Sequence, residues 1–302
     1  MSPDRRPHVS IIIPVFNQGS QLATCLQALE RQTYQAGAGT FEVIVVDNGS
    51  DPPLDHVTAP FSFARCIREL KPGSYAARNQ GIKASQGEWL GFTDADCVPA
   101  ADWIERGVCA LRSLPGKGLV GGSVDLTFRN SDRPTAAELF ESVFGFPQER
   151  YIRQFGFSVT ANLFTSRATL DDVGLFDESL MSGGDVEWGQ RVRARGLAQQ
   201  YAADVRISHA ARGSLGQLCR QSLRIAGGVQ QLSDRRGEGA KGLAAQAIGQ
   251  LVLLRNIRAN LSNERVTGVG RKLTFAAAVW LVEFLRIVER YRVHYGGTPW
   301  RT

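Results

Sequence analysis

The sequence predicts an α/β protein with a mostly parallel central sheet flanked by helices and a helical C-terminal extension. Three observations carry this. Short, continuous β-branched runs alternate with stretches of helical apolar spacing over the first two hundred residues. Those runs end in clusters of turn-forming and acidic residues. Beyond residue 213 the apolar spacing becomes helical throughout. With 302 residues, 43% of them hydrophobic and 21% charged, the chain can bury a sizeable core, and disorder over most of its length is excluded.

The first run, VSIIIP at residues 9–14, reads as a strand buried on both faces and closed by proline. Leu22, Leu26 and Leu29 follow at i, i+4, i+7, a helix for which Asn17 or Ser20 offers a cap. The run FEVIVV (41–46) is a second strand, stopped by the turn formers Asp47-Asn48-Gly49-Ser50-Asp51. Residues 64–70 predict a third strand, 75–85 a helix, and WLGFT (89–93) a fourth strand ending at Asp94-Ala95-Asp96. Residues 119–128, 158–167 and 200–209 complete the sheet. Helices with one apolar face are expected over 214–231, 243–258 and 272–292, the last with Trp280, Phe284, Ile287 and Tyr291 opposite Glu283, Arg286 and Arg290. A Gly- and Arg-containing linker is expected at 233–242.

Charge is unevenly divided. Residues 1–204 carry 19 Lys/Arg against 24 Asp/Glu and residues 205–302 carry 16 against 5, so the two parts stand at −5 and +11. An acidic first part suits cation chemistry, and a basic second part suits an anionic partner such as a lipid surface. Nucleic acid is the disfavoured partner, because the basic residues sit among Leu, Ile, Val and Trp at helical spacing with neither zinc ligands nor an aromatic stacking motif. Five cysteines without a C-x-x-C pair favour reduced thiols and a cytoplasmic location over a disulfide framework or zinc site. No secretory signal and no spanning segment is read, the nearest apolar stretch being interrupted by Glu283.

Neither G-x-G-x-x-G after the first strand nor a P-loop is present. Acidic residues instead terminate the strands, and in parallel sheets ligands sit outside such carboxyl ends. Asp94-x-Asp96 offers two hard oxygen donors for Mg²⁺ or Mn²⁺ beside a diphosphate; alone, such a pair is more often a turn former or cap.

The strings SIIIPVFNQ (10–18), VIVVDNGS (43–50), GSYAARNQGIKASQGEWLGFTDAD (73–96), VGLFDESL (173–180) and GGDVEWGQRVRARG (183–196) resemble, in kind and order, the family 2 glycosyltransferases. The resemblance spans roughly residues 8–210. It implies a GT-A fold, a nucleotide-sugar donor (most simply a UDP-sugar), a divalent metal (Mn²⁺ or Mg²⁺) and inversion at the anomeric carbon. It divides the chain into a catalytic domain at 1–212, with a donor half at about 8–98 and an acceptor half at 99–212, and a basic helical region at 213–302.

By that resemblance Pro14 and Phe16 lie beside the nucleotide base, and Asp47 accepts a hydrogen bond from uracil. Arg78 and Asn79 either contact the nucleotide or position their loop. Asp94 faces the ribose or the metal, Asp96 is the stronger metal ligand, and His209 reaches the metal or diphosphate unless it is structural. Asp185 is the expected general base. Family members usually carry Glu-Asp there, and this chain has Gly184-Asp185. Glu187 is the alternative base, and Trp188 either stacks on an acceptor sugar or belongs to the core. Ile225 follows Gln221-x-x-Arg224 where processive synthases have Trp, which favours transfer of one sugar to a saccharide or lipid-linked saccharide. The rival readings are a nucleotide- or glycan-binding module without turnover and a membrane-surface scaffold. The basic helices are expected either to lie on an anionic membrane, peripherally on its inner face, or to join two copies of the chain.

Overall fold

A computed structural model describes residues 7–36, 40–239, 243 and 266–300. The chain divides into two compact units, the first formed by Met1–Asp125, Pro147–Ser179 and Gly184–His209, the second by Leu126–Phe146, Leu180–Gly183 and Ala210–Thr302.

An eight-stranded sheet runs in the order β3-β2-β1-β4-β7-β6-β8-β5. Its strands are β1 (Val9–Val15), β2 (Phe41–Asp47), β3 (Ala64–Arg68), β4 (Trp89–Thr93), β5 (Cys97–Pro99), β6 (Gly118–Thr127), β7 (Asn162–Ser166) and β8 (Ala198–Ala210). β1 is buried along its whole length, as a β-branched run covered on both faces must be. It pairs in parallel with β2, Val15 opposite Asp47, and with β4, Ile12 opposite Phe92. This register brings the carboxyl ends of three strands to one edge. The expectation of a mostly parallel sheet holds only for β3-β2-β1-β4. β7 is antiparallel to both β4 and β6, and β5 is antiparallel to β8. Apolar runs locate strands but carry no direction, and strand-helix alternation no longer fixes it once several helical segments separate successive strands, as between β6 and β7.

The helices of the first unit are α1 (Gly19–Glu30), α2 (Asp55–Thr58), α3 (Ser74–Ala84), α4 (Trp103–Arg112), α6 (Gln148–Arg150), α7 (Arg167–Val173) and α8 (Gly184–Ala194); α5 (Ala136–Phe144) lies in the second. Leu22, Leu26 and Leu29 of α1 join Trp103, Ile104 and Val108 of α4 in the core that includes Ile11, Ile13, Val43 and Val45. α3 packs close to the sheet because it carries Gly81, where a Cβ would stand 2.6 Å from Ile12 Cγ2. Neither Asn17 nor Ser20 caps α1; its N-cap is Gln18, without a side-chain hydrogen bond. Asn17 instead takes a left-handed backbone (φ 53°), its amide N–H donating to Ser50 Oγ (2.8 Å) while its Oδ1 accepts from Asp51 N (3.0 Å).

In the second unit, α5 starts with a capping box between Thr135 and Glu138. It packs with α9 (Leu215–Arg235) and α10 (Val269–His294) around Leu139, Phe140, Leu218, Phe275, Val279 and Val282. α9 runs on to Arg235, so the expected linker begins later than 233; the helix expected over 243–258 lies, beyond Leu243, outside the described residues. α10 has a second apolar face that the expected pattern does not mark, and Arg290, expected on the polar side, turns inward with it. The face carrying Trp280, Phe284 and Tyr291 is outward, and the face carrying Phe275, Val279, Val282 and Arg290 is buried. Both faces are apolar, so spacing alone could not choose between them. Arg290 is held by Gln230 Oε1 (2.8 Å), and burial pulls its guanidinium below its ordinary value. Among the described residues no helix is long and apolar enough to cross a membrane.

Candidate functional site

At the end of β1, Pro14 is buried in the strand while Phe16 is about half exposed (47%). Asp47, at the end of β2 and expected to meet the nucleotide base, is 1% exposed. Its Oδ1 accepts from Ser50 N (2.8 Å) and its Oδ2 from Leu54 N (3.4 Å), so it ties down the loop after its own strand. The next residue, Asn48, was not singled out by the sequence. Its amide donates to the carbonyls of Glu69 (2.9 Å) and Lys71 (2.8 Å) and accepts from Gly73 N (2.8 Å), binding the approach to α3 onto the end of β2.

α3 presents two further expected residues. Asn79 is buried and clasps the backbone of Phe176 with both ends of its amide, at 2.8 and 3.0 Å. It positions a loop. Arg78, 3% exposed, meets Asp94 Oδ1 at 2.5 Å, which turns Asp94 toward α3. Asp96 takes a different partner. The antiparallel pairing of β5 with β8 sets Cys97 opposite His209, and His209 Nε2 lies 3.3 Å from Asp96 Oδ2. Asp96, Cys97 and His209 each offer a ligand atom within 4.8 Å of the others. The carboxylate suits Mn²⁺ or Mg²⁺, and the imidazole beside it is a donor that Mn²⁺ accepts more readily than the harder Mg²⁺. The Cys97 thiol is a poorer donor, because burial, with the charges of Asp94 and Asp96, pushes it well above its ordinary value and keeps it protonated. The donor set therefore fits a divalent ion held chiefly by Asp96 and His209. Asp94 is not part of that group.

α8 carries the remaining residues. Asp185 lies in its first turn, with a partial opening to solvent and protein on most sides. Its Oδ1 accepts from Tyr75 Oη (3.2 Å) and from Val186 N (3.0 Å). Burial pushes the carboxyl above its ordinary value, and Arg78, the Val186 amide and the Tyr75 hydroxyl pull the other way without cancelling that effect. Glu187 is engaged in an ion pair with Arg191 (2.7 Å), which also donates to the carbonyls of Val173 and Leu175. Trp188 is fully buried, its Nε1 donating to Gly174 O (2.8 Å) and its ring 5.3 Å from that of Phe176. This corrects the acceptor-stacking reading: the ring has no exposed face for a sugar, and its apolar surface is spent on the core.

Tyr75 joins these parts. It sits one turn before Arg78, whose guanidinium lies 5.7 Å from its ring centre, so a path of contacts runs from Asp94 through Arg78 and Tyr75 to Asp185. Sequence gave no signal for Tyr75 or Cys97 beyond their adjacency to motif residues.

The eight-stranded sheet with acidic residues at its strand ends is shared with solved GT-A glycosyltransferases. The chain is similar to the mannosyltransferase PcManGT from Pyrobaculum calidifontis, determined with GDP-Man and Mn²⁺ (TM-score 0.62, 17% identity, covering 97% of this chain and 89% of that one). It is also similar to GalNAc-T7, determined with UDP, GalNAc and Mn²⁺ (TM-score 0.51, 16% identity, 72% and 48% covered). Residues 10–172 match the glycosyl transferase family 2 profile, and glycosyltransferase AglE of Haloferax volcanii is 39% identical over 231 residues, 75% of this chain and 74% of that one. The chain belongs to glycosyl transferase family 2.

Proposed function

We propose that this glycosyltransferase moves a single sugar, with inversion, from a nucleotide-sugar donor to a saccharide or lipid-linked saccharide. The observation that carries this reading is the contact path from the end of β4 to Asp185, a carboxylate partly open to solvent. In a single displacement the acceptor oxygen bonds to the anomeric carbon, its proton passes to Asp185, and the bond to the diphosphate breaks as the nucleoside diphosphate leaves. Asp96 and His209 would hold a divalent ion, Mn²⁺ or Mg²⁺, which when bound supplies neutralisation of the diphosphate charge. Arg78 positions Asp94, and the exposed ring of Phe16 beside Pro14 offers the base a face. Glu187, tied to Arg191, serves the acceptor side only by holding α8. The donor half is taken as residues 8–98, the acceptor half as 99–212, and the basic helical region as 213–302.

A UDP-sugar is the first donor to test, with GDP-sugars as the comparison. Calorimetry of both panels with Mn²⁺ should give binding that disappears with excess chelator. Equal affinity in chelator removes the metal from the reading, and a product with retained anomeric configuration overturns the single displacement.

The second unit supports an anionic membrane surface as a further partner. The outward side of α10 carries Val269 (76% exposed), Leu273 (67%), Trp280 (58%), Phe284 (50%), Val288 (47%) and Tyr291 (44%), and residues 205–302 hold 16 Lys/Arg against 5 Asp/Glu. Aromatic residues in a row on a basic helical region suit the headgroup level of a bilayer. Flotation with acidic-lipid vesicles that fades in high salt is expected; no flotation, with a dimer in solution, assigns the row to a second copy of the chain.

A further inference from the structure

We propose that Tyr75 is the positioning residue for Asp185, and that Gly184 is glycine because the Tyr75 ring fills the space beside it. This rests on the reading of Asp185 as the base. Two independent observations carry it. The phenol oxygen lies 3.2 Å from Asp185 Oδ1, and the two residues are 110 positions apart in sequence, so a long-range pairing has been built at this carboxylate. A Cβ at Gly184 would stand 2.7 Å from Tyr75 Cε2 and 2.8 Å from Cδ2 and Cζ, closer than side-chain carbons approach.

The backbone at Gly184 is not left-handed, unlike that of Gly183 (φ 81°), so conformation alone does not demand glycine there. The ring does. Tyr75 is itself fixed: it is 5% exposed, its ring lies 5.8 Å from that of Phe176, and Arg78 sits over it. A phenol so held presents its hydroxyl to one Asp185 oxygen and leaves the other for the acceptor proton. In this chain the site beside the base is therefore an aromatic hydroxyl reaching from α3, in place of any side chain from position 184.

The test uses the full chain with Mn²⁺ and whichever sugar nucleotide in the UDP- and GDP-sugar panel it turns over fastest, read as released nucleoside diphosphate. Tyr75→Phe keeps the ring and removes the hydroxyl; kcat should fall roughly tenfold or more while the donor KM stays within about twofold, the pattern of a lost hydrogen bond to a charged group at the reacting centre. A kcat within about twofold of the parent overturns the positioning role. Gly184→Ala should lower the Tm of the parent and leave that of a Tyr75→Ala chain unchanged; an equal drop in both overturns the packing claim. Asp185→Asn separates the two levels. If it retains turnover, the base reading fails; if it is inactive while Tyr75→Phe is normal, only the role of Tyr75 fails.

Discussion

Asp47, at the end of β2, and Asp185, in the first turn of α8, are both aspartates, and they are held in opposite ways. Asp47 is closed off from water and has each oxygen taken by a backbone amide of the loop that follows it. Asp185 keeps an opening to solvent, accepts from a phenol remote in sequence and from its own turn at one oxygen, and has its carboxyl raised above its ordinary value by burial. A carboxylate fully occupied by backbone donors fixes structure. One that is incompletely satisfied and poised to take a proton is suited to chemistry. The difference lies in the partners, since the residue type is the same.

The largest expected break in this comparison is in rate. Asp185→Asn should lower turnover by roughly 10²- to 10⁴-fold while nucleotide binding persists, measured by kinetics and calorimetry on one preparation. Asp47→Ala should act on stability: losing the acceptor for two buried amides should cost about 1–3 kcal/mol, read as a lower urea midpoint, with whatever activity remains tracking the folded fraction. If Asp47→Ala leaves stability intact and abolishes nucleotide binding, the contrast collapses.

A pH prediction sharpens the same comparison. Because burial raises the Asp185 carboxyl above its ordinary value, the rate should climb through an acidic limb that lies higher than an ordinary aspartate would give. The groups facing it are Tyr75 and Arg78 of α3, with Glu187 on its own helix drawn away by Arg191. Linkage gives the smallest effect. A raised carboxyl binds more protons in the folded than in the unfolded state, so its contribution to stability falls as pH rises from its ordinary value through the folded one. Asp185→Asn should therefore raise Tm slightly at neutral pH, and the gain should vanish below the ordinary carboxylate range. A Tm difference independent of pH would contradict that assignment.

The strands of the first unit were legible because their β-branched runs are long enough to be buried on both faces, and the acidic strand ends followed from the same boundaries. Pairings were not legible, since Asp96 meets His209, and Tyr75 meets Asp185, across more than a hundred residues of chain. Trp188 illustrates a second gap: beside an acidic motif an indole serves a sugar or a core equally well, and only the closeness of Phe176 and the Gly174 carbonyl decides. In α10 the sequence marks one apolar stripe, while Phe275, Ala278, Val279 and Val282 make another that wins the interior. Asn48 was hidden among turn formers, because its three partners lie more than twenty residues downstream.

That asparagine limits what protein engineers can exchange here. It uses two donors and one acceptor, a combination that aspartate cannot offer at neutral pH and alanine lacks altogether. A donor-loop transplant cut after Asp47 would leave the backbone at Glu69, Lys71 and Gly73 without its clasp. The interchangeable module runs from the end of β2 to the start of α3, and residues 48–73 have to travel together.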